Sequence, residues 1–115
     1  MAQVTLLHNP RCSKSRQALV LLETSGHEVA VRRYLDEPLE RAELETLQAQ
    51  LGAPVIAWTR TREAAFQEAG LTRDASDAEL LDAMARHPIL MERPVAILGS
   101  RAVVGRPPER VHELA

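Results

Sequence analysis

The first 35 residues change hydrophobic period twice, and that restricts the chain to few folds. Residues 4–8, Val-Thr-Leu-Leu-His, are apolar and partly β-branched, and they stop at Asn9-Pro10. The pattern predicts a short buried strand followed by a turn. From Ser13 the run SKSRQALVLLETSG places Ala18, Leu19, Leu21 and Leu22 at helical spacing, with Gly26 as a stop. EVAVRRYL, residues 28–35, then sets Val29, Val31 and Arg33 on one side of a second strand, ahead of Asp36-Glu37-Pro38. A strand, a helix and a strand in this order favour a parallel pair with a right-handed connection.

The middle of the chain reads as helical. LERAELETLQAQLG carries Leu44, Leu47 and Leu51 on one stripe and ends at Gly52. PVIAWTRTREAAFQEAG reads as a further helical stretch, with Pro54 near its start, Gly70 at its stop, and Val55, Ile56, Trp58 and Phe66 as its buried residues. SDAELLDAMARHP opens with a capping box, Ser76 and Glu79, followed by Leu80, Leu81 and Met84 at core spacing; Pro88 ends it. RPVAILG and RAVVG are short β-type runs joined through Gly99-Ser100, a connection that suits a type II′ hairpin turn. RPPERVHELA starts a last short helix. A β-α-β unit and a β-β-α unit in one small chain make a thioredoxin-like α/β fold: a mixed four-stranded sheet with helices on its faces. The expected organisation is one domain, residues 1–115, with a helical insertion over roughly 38–90.

Composition excludes several classes. A hydrophobic content of 45% in 115 residues is enough for the core of one folded domain. A net charge of −2 supplies no global basic field, so neither nucleic acid nor an anionic membrane is an expected partner. No apolar run approaches the roughly 18 residues of a membrane span, and no signal peptide is visible. The one cysteine, Cys12, cannot form an internal disulfide, which fits a reducing cytoplasm. The 14 basic residues include a single lysine, Lys14. Arginine suits planar oxyanions, although most arginines of any chain are solvated. Arg32, Arg41, Arg73 and Arg86 are read that way. A monomer is the default.

Cys12 lies between Pro10-Arg11 and Ser13-Lys14-Ser15-Arg16, at the mouth of the first predicted helix. A lone cysteine is most often a small buried hydrophobe, but such residues sit in apolar stripes, and this one does not. Ligand sites of open α/β sheets favour the carboxyl ends of strands. Unpaired backbone N–H groups and the positive end of the helix dipole converge there and favour an anion, either a thiolate or a bound oxyanion. A thiol so placed has its pKa lowered. Arg11, Lys14, Arg16 and His8 are candidates to lower it further, and the Ser15 hydroxyl is a candidate donor to the sulfur. No metal is expected: there is no second cysteine, and His27, His87 and His112 are scattered singly.

HNPRCSKSR, YLDEP, HPILMERPVAI and VGRPPE, in this order, resemble the ArsC family of glutaredoxin-coupled arsenate reductases, and NPRCSKSR is especially similar to its YfgD-like branch. The resemblance runs nearly end to end. It implies that Cys12 is the nucleophile and that His8 helps activate it. It further implies that Arg60, Arg93 and Arg106 bind the oxyanion, with Asn9, Ser15, Arg16 and Pro94 in support. Arg62 is the rival to Arg60 if the register differs. Pro94 is implied to be a cis-proline packed beside Cys12. The implied reaction is reduction of arsenate to arsenite through a Cys12 thiolate adduct, with no bound cofactor, glutathione as external reductant and glutaredoxin as partner. The chain departs from the family at Cys12-Ser13-Lys14-Ser15, where reductases commonly carry Cys-Gly-Thr-Ser; the loop changes while the thiol stays. Two alternatives remain at this point: a glutathione-linked thiol oxidoreductase acting on another substrate, and a non-catalytic regulator of the related Spx type that binds RNA polymerase. Many such regulators carry Cys-x-x-Cys, and position 15 here is serine.

Overall fold

A computed structural model describes residues 3–114. Met1, Ala2 and Ala115, the ends of the expected domain, lie outside them. The described chain divides into two compact units, residues 3–37 together with 93–114, and Pro38–Glu92.

The first unit is the mixed sheet. Its strands are β1 (Gln3–Leu7), β2 (Glu28–Arg32), β3 (Val95–Leu98) and β4 (Arg101–Val104), ordered β2-β1-β3-β4. β1 and β2 are parallel, with Leu6 opposite Val31. β3 runs antiparallel to β1 and to β4. Helix α1 (Ser13–Thr24) makes the crossover between the parallel strands, as the alternating periods require. In the register, Leu6, Ala96 and Val103 form one row across three strands, and all three are buried. Against this face pack Ala18 and Leu22 of α1 and Val111 and Leu114 of a closing 3₁₀ helix, Pro108–Leu114. Each fully buried leucine in such a row contributes about 1.5–3 kcal/mol. The Arg101 guanidinium ties the end of the 3₁₀ helix to β4 by donating to the Leu114 carbonyl at 2.7 Å.

The hairpin turn is of the expected type. Leu98 pairs with Arg101 across Gly99-Ser100. Gly99 has φ +61°, and among the described residues no non-glycine residue has positive φ. A type I′ turn needs positive φ at both central residues, so the turn is II′. β2 is shorter than the expected 28–35 and lies at the sheet edge, where Val31 is 46% exposed. An edge strand has one neighbour, so alternation there is weakly enforced.

The second unit holds α2 (Arg41–Leu51), a 3₁₀ turn (Val55–Trp58), α3 (Ala64–Glu68), α4 (Asp77–Arg86) and a second 3₁₀ turn (Pro88–Leu90). α2 ends at Gly52, whose φ of +64° places it in the left-handed cap geometry. The capping box of α4 forms as read, Glu79 N–H donating to Ser76 Oγ at 3.2 Å and Ser76 N–H to Glu79 Oε1 at 3.1 Å. The stretch from Pro54 to Gly70 is not one helix: it breaks at Thr59, whose backbone bridges Met91. The reason is tertiary. Arg60 N–H donates to the Leu90 carbonyl at 2.7 Å and Glu92 N–H to the Trp58 carbonyl at 3.0 Å, so these backbone groups pair with a distant segment instead of their own helix. Trp58 and Phe66 are buried on either side of the break.

Gly105, at the end of β4, is buried and donates its N–H to the Pro94 carbonyl at 2.8 Å. A Cβ on Gly105 would meet Pro94 Cγ at 2.9 Å and Val111 Cγ1 at 3.3 Å. A proline ring cannot swing aside as a flexible side chain does. Gly105→Ala is therefore expected to destabilise the protein by about 1–3 kcal/mol in urea unfolding. An unchanged midpoint would show that the Pro94 loop yields freely.

Candidate functional site

The turn after β1 folds on Asn9. Its side-chain Oδ1 accepts from Arg11 N–H at 3.0 Å, and its carbonyl accepts from Cys12 N–H at 3.0 Å. This Asx-type turn delivers Cys12 to the N-cap of α1, with φ −93° and ψ +122°. Arg16 N–H donates to the Cys12 carbonyl and starts the helix. Cys12 is partly exposed.

Two residues from the other end of the chain meet the sulfur. Arg106 Nη2 donates to Cys12 Sγ at 3.7 Å, and Arg106 Nε donates to the Arg93 carbonyl at 2.7 Å. The Arg93 guanidinium also acts on the sulfur and lowers its pKa. Burial pushes the Cys12 thiol up. The backbone N–H of Ser15, the Arg93 guanidinium and the backbone N–H of Lys14 outweigh it, so the pKa lies below the ordinary thiol value. The helix mouth therefore acts as anticipated, through its unpaired amides. The cations adjacent in sequence do not: Arg11, Lys14 and Arg16 are exposed and are not among the causes of the shift.

Arg93 is itself unusual. Burial pushes its guanidinium down, while the Cys12 sulfur and the fully buried Tyr34 outweigh that and hold it more firmly protonated. Among the described residues its Nε and Nη1 are buried with no hydrogen-bond partner. A buried donor left unpaired costs about 1–3 kcal/mol, and more when charged. Charged donors of this kind suit the oxygens of a tetrahedral oxyanion. Both arginines precede cis-prolines, Pro94 and Pro107. The first was implied by the resemblance; the second was not foreseen, although the Arg-Pro step is repeated in the sequence.

His8 and Ser15 form a buried pair beneath the turn. His8 Nδ1 lies 2.6 Å from Ser15 Oγ, which also accepts from Asn9 N–H at 3.1 Å. The Ser15 hydroxyl is thus engaged with His8 and Asn9, and it is the backbone N–H of Ser15 that faces the sulfur, not the hydroxyl as anticipated. Burial first, then Arg33 and Arg16, lower the His8 pKa, so the ring is neutral at physiological pH. Arg16 Nη1 donates to the Pro10 carbonyl at 2.9 Å and braces the loop from outside.

Arg60 belongs to the second unit. There its Nη2 pairs with Glu63 at 2.9 Å and its Nη1 approaches Glu92 at 4.0 Å. Arg62 is exposed. The cluster around Cys12 described above comes from the first unit alone. Tyr34, which sequence reasoning left without a role, lies in the YLDEP segment; a buried tyrosine beside charged residues was its only signal. Among the described residues no three His, Cys, Asp or Glu side chains group to hold a metal ion, and no helix is long and apolar enough to cross a membrane.

A thioredoxin-like sheet with one activated thiol at its first βα turn, faced by arginines from the cis-proline loops, defines a class of thiol-dependent proteins. The model of the ArsC family matches residues 7–114, and the chain belongs to that family. It is 42% identical over 113 residues to a Neisseria meningitidis serogroup A protein named arsenate reductase, covering 96% of this chain and 97% of that one. It is 41% identical over 114 residues to the Escherichia coli protein YfgD, covering 97% and 96%. Among solved structures, one described as an arsenate reductase from Vibrio cholerae superposes with a TM-score of 0.93 at 42% identity, covering 99% of this chain and 98% of that one.

Two outcomes test the site. Arg93→Ala should move the pH profile of iodoacetamide labelling of Cys12 upward and slow labelling at pH 6, because the thiolate is the reacting form; an unmoved profile would remove Arg93 from the thiol's environment. Ser15→Ala should lower stability by about 1–3 kcal/mol in urea unfolding, since His8 and the Asn9 N–H are left buried without their partner.

Proposed function

We propose that this protein is an arsenate reductase that uses Cys12 as nucleophile and glutathione with glutaredoxin as the source of electrons. The observation that carries the reading is the pairing of a low-pKa sulfur with Arg93, whose Nε and Nη1 are buried without partners, and with Arg106, 3.7 Å from the sulfur. Arsenate is tetrahedral and doubly negative near neutrality. Arg93 and Arg106 offset that charge and orient the oxygens by charge-assisted hydrogen bonds. The Ser15 and Lys14 amides and the Arg93 guanidinium lower the pKa of the same sulfur.

In the proposed cycle the Cys12 thiolate attacks arsenic(V), and an oxygen leaves as water after protonation, giving a sulfur–arsenic bond. A glutathione thiolate then attacks the Cys12 sulfur. The sulfur–arsenic bond breaks with its electron pair on arsenic, which leaves as arsenite, and Cys12 is left in a mixed disulfide with glutathione. A glutaredoxin thiolate takes the glutathione and returns Cys12 as thiolate. Neutral His8 orients Ser15 and the turn rather than touching arsenic. The part expected of Arg60 rests on the family resemblance. Since Cys12, Arg93 and Arg106 come from one chain, the reading asks for no second copy, and a single unpaired thiol suits a cytoplasmic monomer.

The names borne by the relatives favour arsenate over another substrate of a thiol oxidoreductase. Ser15, held against His8, stands where a Cys-x-x-Cys switch would need its second thiol, and this favours catalysis over the regulator reading. The test is arsenate-dependent NADPH oxidation coupled through glutathione, glutathione reductase and glutaredoxin. Turnover should disappear in Cys12→Ser, and Arg106→Ala should raise KM for arsenate about tenfold or more. A parent protein with no turnover would overturn the assignment.

A further inference from the structure

A chain with one cysteine must receive its second thiol from outside, and the first unit carries a groove suited to that delivery. The groove has a volume of about 410 Å³ and is lined by Ser13, Arg16, Gln17, Val20, Leu21 and Glu109. The five α1 residues form one stripe along the helix, at i, i+3, i+4, i+7 and i+8. Glu109 stands across from them on the closing 3₁₀ helix, which packs against α1. The stripe begins at Ser13, the residue after Cys12.

The chemistry of the lining is mixed in a particular way. Arg16 offers a guanidinium, Glu109 a carboxylate and Gln17 an amide, while Val20 and Leu21 supply apolar surface. Val20, an apolar residue, is 56% exposed on this stripe. Among the described residues neither Arg16 nor Glu109 is held in an ion pair. The adjacent Arg110 pairs with Glu113 at 3.1 Å instead of with Glu109. The Glu109 carboxylate disfavours a purely anionic ligand in this groove. A ligand carrying both a carboxylate and an ammonium, on a short peptide backbone, matches both charges at once.

We propose that this groove binds the peptide of glutathione, with a glutathione carboxylate on Arg16, its ammonium on Glu109 and its amides beside Gln17, so that its sulfur is delivered to Cys12. The volume lies in the range of small-molecule sites, about 300–1,000 Å³. The inference rests on the reductase reading for the reason that a thiol must arrive, but its test does not require arsenate. In the test reaction the Cys12 thiolate attacks oxidised glutathione, one sulfur–sulfur bond forms as another breaks, and a glutathione thiolate leaves.

The rate of this reaction is measured by mass spectrometry beside that with hydroxyethyl disulfide, which has no charge for the groove to read. The ratio of the two rate constants cancels changes in the thiol itself. Glu109→Lys should lower the ratio about fivefold, and Glu109→Gln should lower it less. Glu109 is exposed, so both variants are expected to fold. A ratio within about twofold of the parent in Glu109→Lys would overturn the proposal. If that ratio is unmoved while the parent reduces arsenate, the groove alone fails. If the ratio falls while the parent does not reduce arsenate, the groove stands and the reductase reading fails.

Discussion

Everything at the candidate site depends on one contest of forces at Cys12 Sγ. Burial opposes a charged sulfur, and fixed donors favour it. The donors win because most of them bring little conformational cost to the moment of ionisation. The Ser15 and Lys14 amides are held by the helix itself, and the Arg93 guanidinium is part-buried beside the fully buried Tyr34. A flexible lysine on the surface would lose several rotatable bonds of freedom to do the same work. This explains why Lys14 contributes through its backbone while its side chain stays in solvent. It also explains why a change from Gly-Thr to Ser-Lys after the cysteine leaves the amides acting on the sulfur, as backbone groups survive side-chain replacement.

The sheet topology is what brings the donors together. Cys12 follows β1, and Arg93 and Arg106 flank the β3–β4 hairpin, far away in sequence. β1 and β3 are neighbours in the sheet, and the hairpin returns the chain to the same end after four paired residues. Gly105 then closes the arrangement by letting its backbone reach Pro94 at 2.8 Å. A position with room for no Cβ sits where the two arginine loops touch, so packing in the sheet and charge at the thiol are linked through a single backbone contact. The buried pair of His8 and Ser15 supports the other side. A neutral imidazole and a hydroxyl are less costly to bury than a charge, and together they satisfy the Asn9 N–H that the tight turn would otherwise strand.

Much of this was legible in the sequence, for physical reasons that differ by element. The β-α-β opening, the Ser76–Glu79 box and the Gly99-Ser100 turn each rest on local rules of period, capping and φ, and each formed as read. Cys12 was legible because polar neighbours at a helix mouth are inconsistent with a core cysteine. What local rules could not show were pairings chosen by distant segments. The helix expected from Pro54 to Gly70 breaks because Trp58, Arg60, Leu90 and Glu92 exchange backbone hydrogen bonds. Val31 faces solvent because β2 proved to be an edge. The charges near Cys12 in sequence, Arg11 and Lys14, were the wrong ones, since a side chain's neighbours in space are set by topology. Arg93 and Arg106 came from resemblance, and Tyr34 from neither source.

A lowered thiol pKa has opposing consequences for a one-cysteine enzyme, and they fall on different steps of the proposed cycle. It raises the fraction of thiolate at neutral pH, while each thiolate is a weaker nucleophile, with a Brønsted slope of about 0.4–0.5. On attack the gain in population exceeds the loss in reactivity only until the sulfur is mostly ionised; beyond that point further lowering slows the step. When Cys12 must be released from a mixed disulfide the effect has one sign, because a low-pKa thiol is the better leaving group. The donors around Cys12 therefore favour its departure, which is the same as favouring attack of an incoming glutaredoxin thiolate on the glutathione sulfur, and access acts on the same choice. Cys12 is partly buried beneath Arg106, and a glutathione lying in a groove on the outer stripe of α1 would leave its own sulfur the more open of the two. With no second cysteine in the chain, the thiol that resolves the mixed disulfide comes from outside, and access helps select the sulfur it strikes.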